Sequence, residues 1–219
     1  MTEPVLGLFA KYPEPGQVKT RLAPALSFEQ AAGLYRAMLL DIFEQTATAQ
    51  PEAARRALWF SPAEHRSWFA THAPGFELYS QQGEGLGQRM HHFFAAHSLE
   101  GSRAMVLRGT DSPTLPTSQI ALAFRALEEV DLVIGPGPDG GYNLIGLRQP
   151  CAALFKPAMS QGELLRQTLA AAATMGLQTQ LLEPFPDVDT IEDVRALDPG
   201  PGAPRTARWI EHERDSIEP

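Results

Sequence analysis

Two sets of charged residues in this 219-residue chain have types and spacings that suit chemistry on phosphates. The first lies in KYPEPGQVKTRLAP, where Lys11, Lys19 and Arg21 follow directly on the apolar run Val5–Ala10. In a chain with only 18 Lys and Arg, three cations at the end of one strand suit a polyphosphate. Arg can grip its oxygens with paired N–H groups while Lys acts as a point charge. A solvated surface loop is the plain alternative, and composition alone favours it slightly. Gly16, Lys19, Thr20 and Arg21 have the flavour of a Walker loop, but no glycine precedes Lys19, so that pattern is absent. The second set is acidic. Asp187 and Asp189 stand two apart and share one side of the chain if the segment is extended. Asp111, in GTDSP, reads on its own as a turn residue or the N-cap of a following helix.

A third stretch, VIGPGPDGGYNLIGL (residues 133–147), spells G-x-G-x-x-G at Gly135, Gly137 and Gly140. A dinucleotide fingerprint works only where a strand hands over to a helix. Here Tyr142–Leu147 reads as a second strand, and Pro136 and Pro138 remove backbone N–H groups that a phosphate cradle needs. The glycines therefore read as a tight bend between strands. Further back, GEGLGQRM opens a helix with apolar positions at Met90, Phe93 and Phe94. Its Arg89 reaches a phosphate or is a solvated first-turn residue. His91 and His92 are adjacent, point to different sides of a helix and cannot clamp one metal; they read as surface or edge residues.

The elements that must position these residues follow from pattern. Strands are expected at Pro4–Ala10, Ala57–Phe60, Phe76–Tyr79, Ala104–Leu107, Asp131–Ile134, Tyr142–Leu147 and Thr179–Leu182. Ser27 with Gln30 forms a capping box, after which Phe28, Ala31, Tyr35, Met38 and Ile42 recur at helical spacing. Further helices are expected at Pro62–Ala70, Leu86–His97, Thr117–Glu129 and Gln161–Met175, and Thr190 with Asp193 starts another. Such alternation argues a largely parallel sheet covered on both faces, with ligands beyond the carboxyl ends of its strands. From Asp198 onward a Pro/Gly break leads into a charged tail that reads as peripheral, with only Trp209 and Ile210 to dock it.

Composition excludes several classes. Hydrophobic residues make up 43%, enough for a sizeable core. A net charge of −8 argues against a nucleic-acid platform, though not against a small phosphorylated ligand. The one cysteine, Cys151, rules out an internal disulfide and a Cys-based zinc cluster and fits a reducing compartment. The N-terminal apolar run is too short for a signal peptide, and no stretch has the roughly 18 apolar residues that a membrane span requires. The expectation is a cytoplasmic protein without membrane or nucleic-acid partners.

The opening K-x-P-x-x-G-x-V-K-T-R-L at Lys11–Leu22 resembles that of GT-A-type nucleotidyltransferases, the phospholactate guanylyltransferases in particular. It is closer still to the bacterial radical-SAM/selenodomain-associated transferases, often labelled glycosyltransferases. GLGQRM, GTDSP, PDGGYNLIGL and DVDTIEDV follow in the order these families show, so the resemblance spans about residues 4 to 197. It implies a three-layer α/β/α GT-A-like fold with a mainly parallel sheet, a single nucleotide-binding domain over 1–197, and 198–219 as an appended tail. It also implies roles. Asp111 would hold a divalent metal, Mg²⁺ or Mn²⁺, with a second ligand from Asp189, the preferred one, or Asp187. Lys19, Arg21 and Asp111 would form the catalytic set. The nucleotide would lie along Phe9, Ala10, Lys11 and Gly16 on one side and Gly85, Leu86, Gly87 and Arg89 on the other. The acceptor would meet Asp139, Gly140, Gly141, Tyr142 and Asn143. Two reactions fit these parts: nucleotidyl transfer from an NTP to a small phosphorylated acceptor, which the KTRL loop favours, and glycosyl transfer from an NDP-sugar. A nucleotide-binding protein without catalysis is the third reading. It gains weight because Met159 and Gln161 replace the Trp and Thr of the families' W-S-T pattern, which bears on the acceptor.

Overall fold

The computed structural model describes residues 3–156 and 162–218; Met159 and Gln161 lie outside the described residues. Seven strands form one sheet: β1 (Val5–Lys11), β2 (Arg55–Ser61), β3 (Glu77–Ser80), β4 (Met105–Arg108), β5 (Leu132–Pro136), β6 (Tyr142–Leu147) and β7 (Thr179–Leu181). Each lies where the apolar pattern expects it, β6 with the same bounds and the others with ends moved by at most two residues. The order is β3-β2-β1-β4-β6-β5-β7. All pairings are parallel except those of β6, which runs antiparallel to both β4 and β5.

Alternation along the strands sends side chains to two helical layers. On one face Val5, Trp59, Met105, Leu107 and Ile145 pack on Phe93 and Phe94 of α3 (Leu86–Leu99) and on Ala172 of α5 (Leu164–Thr174). On the other, Leu8, Leu58 and Phe60 meet α1 (Phe28–Ala47) and α2 (Arg66–His72), while Leu6, Val106 and Val133 meet α4 (Thr117–Ala126). The chain leaves β1 for β2 and β3 on one side, then returns to lay β4 on the other. Strand order thus reverses at the β1–β4 pair, and in open α/β sheets the crevice at such a switch point receives the ligand. The glycine-rich stretch joins β5 to the antiparallel β6, so it is a strand-to-strand bend and not a dinucleotide fingerprint.

Helix α1 starts with the expected capping box of Ser27 and Gln30, and Ala31, Tyr35, Met38 and Ile42 are buried. Phe28, expected on the same apolar face, is exposed at the first residue of the helix. The tail, expected to be peripheral, is instead helical and packed. Residues Pro204–His212 form α7, which lies along α1, and Arg214–Ile217 form α8 after α6 (Ile191–Ala196). Trp209 sits so close over Gly33 that a Cβ there would stand 3.0 Å from the indole Nε1. Buried Asp41 accepts from the backbone N–H groups of Arg205 (3.1 Å) and Thr206 (2.8 Å) and from the Thr206 hydroxyl (2.8 Å), capping the first turn of α7. Ile217 is buried beside Leu34, Met38 and Val194. Apolar pattern alone counted Trp209 and Ile210 as anchors; a buried carboxylate supplies the rest. No described helix is long and apolar enough to cross a membrane.

Removing Asp41 strands the buried N–H and hydroxyl of Thr206 and the part-buried N–H of Arg205 and breaks the Arg205 ion pair, a loss of about 3 kcal/mol. Asp41→Ala should therefore lower the melting temperature by roughly 6–12 °C and open the 198–203 segment to limited proteolysis, both measured against wild type.

Candidate active site

Beyond Lys11 the chain turns outward and comes back as a 3-10 turn, Thr20–Leu22, with Val18 and Leu22 buried on either side of Lys19. Between these anchors Lys19 adopts φ 48°, ψ 39°, a left-handed conformation that costs a side-chain-bearing residue about 1–2 kcal/mol. What it secures is direction. The Lys19 side chain, 3% exposed, runs inward past the Tyr35 ring and donates from Nζ to Asp111 Oδ1 and to Asp189 Oδ1, the latter at 3.0 Å. Arg21 Nη1 reaches Asp189 Oδ2 at 3.4 Å from the solvent side. Burial by itself would depress the Lys19 pKa, but the two carboxylates outweigh it and hold the ammonium well above the ordinary lysine range.

Each carboxylate is placed by a separate device. Asp111 follows β4 in a loop pinned at both ends: Gly109 N–H donates to Asn143 O (2.8 Å) and Val188 N–H to Asp111 O (2.9 Å). Beneath it lies Arg108, wholly buried, which donates to Ser112 O (2.9 Å) and to Gln45 Oε1 (3.1 Å). The Gln45 amide nitrogen in turn holds Pro113 O and Gly202 O, both at 2.8 Å. With no carboxylate among its hydrogen-bond partners, the Arg108 guanidinium is pushed down by burial to about 9. Thr110 completes the loop, sharing a hydrogen bond with the buried Tyr35 hydroxyl (2.8 Å) and donating to Phe9 O (3.0 Å). Burial first, and Asp111 second, raise that hydroxyl to about 12. Asp189 is held by the start of α6, where Thr190 and Asp193 form a capping box and Asp193 also accepts from Asp189 N–H (3.0 Å). Asp187 has a different partner. It accepts from the Ser112 hydroxyl, and burial raises its carboxyl to about 6.

One cleft of about 890 Å³ gathers most of the residues singled out by sequence. Phe9, Ala10, Lys11, Lys19, Arg21 and Asp111 line one part of it, and Gly85, Leu86 and Arg89 another. Asp139, Gly141, Tyr142 and Asn143 line the far end, and both Asp187 and Asp189 face in. Gly16, Gly87 and Gly140 are not among the lining residues. For Gly140 the reason is plain: at φ 87° its Cα faces Gly162, where any Cβ would meet the Gly162 oxygen at 1.9 Å. Packing against Gly162 under the bend requires glycine there. Arg89 is braced rather than free, with Nε on Gly83 O (3.0 Å) and Nη1 on Gln81 Oε1 (3.4 Å). Two acceptor-side groups are also committed internally: Asp139 accepts from Gly141 N–H (2.9 Å), and the Asn143 amide nitrogen donates to Phe185 O (2.8 Å). His91 and His92 do not line the cleft; His92 packs edge-on to Trp59.

Sequence reasoning passed over Tyr35, Gln81 and Glu84, which line the cleft, and Arg108 and Gln45 behind it. A signal existed for Arg108: it is the one charge in the apolar strand MVLR, and a buried cation there needs a reason.

A switch-point cleft lined by cations and carboxylates, in a three-layer α/β fold, defines the class of nucleotide-diphospho-sugar transferase folds. The chain superposes on a crystal structure from Desulfovibrio desulfuricans G20, described as a nucleotide-diphospho-sugar transferase, with a TM-score of 0.90 and 30% identity over 99% of this chain and 97% of that one. Residues 43–160 match the family described as uncharacterized protein conserved in bacteria (DUF2064), and the chain belongs to that family. It is 31% identical to the 3-phospho-D-glycerate guanylyltransferase of Phenylobacterium zucineum (strain HLK1), over 88% of this chain and 89% of the relative. It is 27% identical to the 2-phospho-L-lactate guanylyltransferase of Methanothermobacter thermautotrophicus (strain Delta H), over 80% and 76%. Fold and relatives together make the chain a transferase.

Two outcomes follow from the geometry. The folded pKa of Asp187 lies above its unfolded value, so the native state takes up the extra proton and this group costs stability as pH rises through about 6. Asp187→Asn removes that cost, and melting temperatures measured from pH 4.5 to 7.5 should show the variant gaining on wild type as pH rises. Arg108→Met exchanges a buried charge for an apolar side chain but orphans Ser112 O and Gln45 Oε1, two effects of opposite sign. Its melting temperature should stay within a few degrees of wild type. Amide hydrogen exchange across residues 109–115 should quicken about tenfold; unchanged exchange there would mean that Arg108 does not hold the loop.

Proposed function

We propose that the chain transfers a nucleotidyl group from an NTP, GTP in the first instance, to the phosphate of a small phosphorylated acid, releasing pyrophosphate. The observation that carries this reading is the placement of Lys11, Lys19 and Arg21 around Asp111 and Asp189 at the switch point. It is supported by two relatives named as guanylyltransferases that align along most of their length. In the reaction an acceptor phosphate oxygen attacks the α-phosphorus, and the bond from that phosphorus to the bridging oxygen breaks as pyrophosphate departs. The nucleophile is already anionic, so the protein's task is positioning and charge stabilisation rather than proton removal. Lys11 and Arg21, with Lys19 beside them, neutralise the departing phosphates. Phe9 and Ala10, with the glycine-bordered start of α3, flank the nucleoside, and the bend around Gly141 and Tyr142 borders the acceptor.

A divalent cation fits this arrangement. Oxygens of Asp111 and Asp189 already converge on one positive group, the Lys19 ammonium, and both carboxylates are open to the cleft at 48% and 38% exposure. Among the described residues no three His, Cys, Asp or Glu side chains group to hold a metal by themselves. Mg²⁺ or Mn²⁺ held by Asp111 and Asp189 would draw its other ligands from phosphate and water, as Mg²⁺ commonly does, and would supply positive charge to the phosphate oxygens. Asp187, committed to Ser112, supports the loop instead.

A second reading, glycosyl transfer from an NDP-sugar, is favoured by the description of the Desulfovibrio structure and by the resemblance to the selenodomain-associated transferases. One assay separates the two. Incubated with Mg²⁺, GTP and either 3-phosphoglycerate or 2-phospholactate, the protein should release pyrophosphate only when the phosphorylated acid is present. Release of NDP from an NDP-sugar, with no pyrophosphate from any NTP, would overturn the nucleotidyl reading. Arg21→Ala should raise the KM for the NTP about tenfold or more, the worth of one charge-assisted hydrogen bond. Asp189→Asn should weaken Mn²⁺ binding in the presence of nucleotide more than Asp187→Asn does; the reverse order would move the ligand assignment by two residues.

A further inference from the structure

Lys19 occupies the place between the two carboxylates that face the nucleotide end of the cleft. Its Nζ donates to Asp111 Oδ1 and to Asp189 Oδ1, and these are its only hydrogen-bond acceptors among the described residues. Lysine side chains ordinarily keep the ammonium in water, yet this one is 3% exposed, and its backbone is held left-handed between two buried anchors, Val18 and Leu22. A residue built inward in this way is not a chance surface pair. Resting on the metal-dependent reading above, we infer that Lys19 is a built-in competitor for the cation site of Asp111 and Asp189, and gives up those carboxylates only when a polyphosphate offers its ammonium another partner.

A divalent cation arriving alone draws on the same two carboxylates whose Oδ1 atoms accept from Lys19, weakening the acceptors of a desolvated ammonium and setting a like charge beside it. Both are costly in a half-closed cleft. A nucleotide changes the balance, because its phosphate oxygens accept from the displaced ammonium while the carboxylates turn to the metal. Metal and nucleotide affinities are then positively coupled, each raising the other by the same factor. Arg21, mostly exposed and touching Asp189 at 3.4 Å, pairs with the same carboxylate but is free to swing away, so the competition resides in Lys19. The consequence for the protein is that free metal does not load the cleft in advance, and the charged machinery assembles around the polyphosphate itself.

The test is a Mn²⁺ titration, followed by electron paramagnetic resonance, of wild type and Lys19→Met with and without an α,β-methylene GTP analogue. Wild type should bind Mn²⁺ alone weakly and at least about tenfold more tightly with the analogue. Lys19→Met should bind Mn²⁺ alone at least about tenfold more tightly than wild type, and should lose most of the coupling. The gain should persist at about 0.5 M salt, since displacement of a contacting charge is not screened as a distant repulsion is. Equal Mn²⁺ affinity of the two proteins, or a gain that salt erases, would overturn the inference while leaving the metal-dependent reading intact. Absence of Mn²⁺ binding in wild type even with the analogue would sink that reading and the inference with it. Should the variant fold poorly, the ammonium ¹⁵N resonance of Lys19 in wild type decides the matter. It should stay in place with Mg²⁺ alone and move with Mg²⁺ plus the analogue, whereas movement with Mg²⁺ alone would refute competition.

Discussion

A lysine ammonium shut away from water has to be matched by negative charge, and the cleft of this protein is arranged around that requirement at Lys19. Three distant pieces of chain meet at one nitrogen: the turn after the first strand, the loop after the fourth, and the lead-in to α6. The left-handed backbone at Lys19 is strained, while the Asp111 loop and the Asp189 segment each have braces of their own. The charge contact joins these three locally supported pieces, and the Val188 N–H to Asp111 O bond ties two of them directly.

Much of the remaining structure serves to make that meeting accurate. The parallel β1–β4 pair fixes the distance between the first two pieces, since a register set by seven strands resists small shifts. Arg108 and Gln45 brace the Asp111 loop from the α1 side, and the α6 capping box braces Asp189. Burying the Arg108 guanidinium without an acidic partner is expensive. Its planar donors nevertheless reach a loop carbonyl and a helix side chain at once, which an apolar residue could not do.

The sheet was legible because its strands are short apolar runs: β5 has no polar side chain, β1 only Lys11 at its end, and β6 only Asn143 near its start. The helix starts at Ser27 and Thr190 were legible because capping chemistry is local, needing only residues three apart. Gly140 was legible as part of a bend, but a glycine pattern cannot show the close approach to Gly162 across the fold. The support of the cleft was hidden for the same cause. Arg108 acts through Gln45, Gln45 through Gly202 and Asp41 through Thr206, and long-range pairing of polar groups leaves no periodic trace. The tail read as peripheral because several of its moorings are such groups.

Those moorings bear on how the molecule comes into being. Lys19 and its left-handed turn leave the ribosome early, Asp111 roughly midway, and Asp189 and the helix that settles on α1 much later. At a synthesis rate of about 5–20 residues per second, a nascent chain spends several seconds with the lysine and only one of its two carboxylates. The strands β1 to β6 can pair in that interval, because their partners are already present. The cleft acquires its balance of charge only as the last segments dock, so the scaffold is finished before the chemistry it carries.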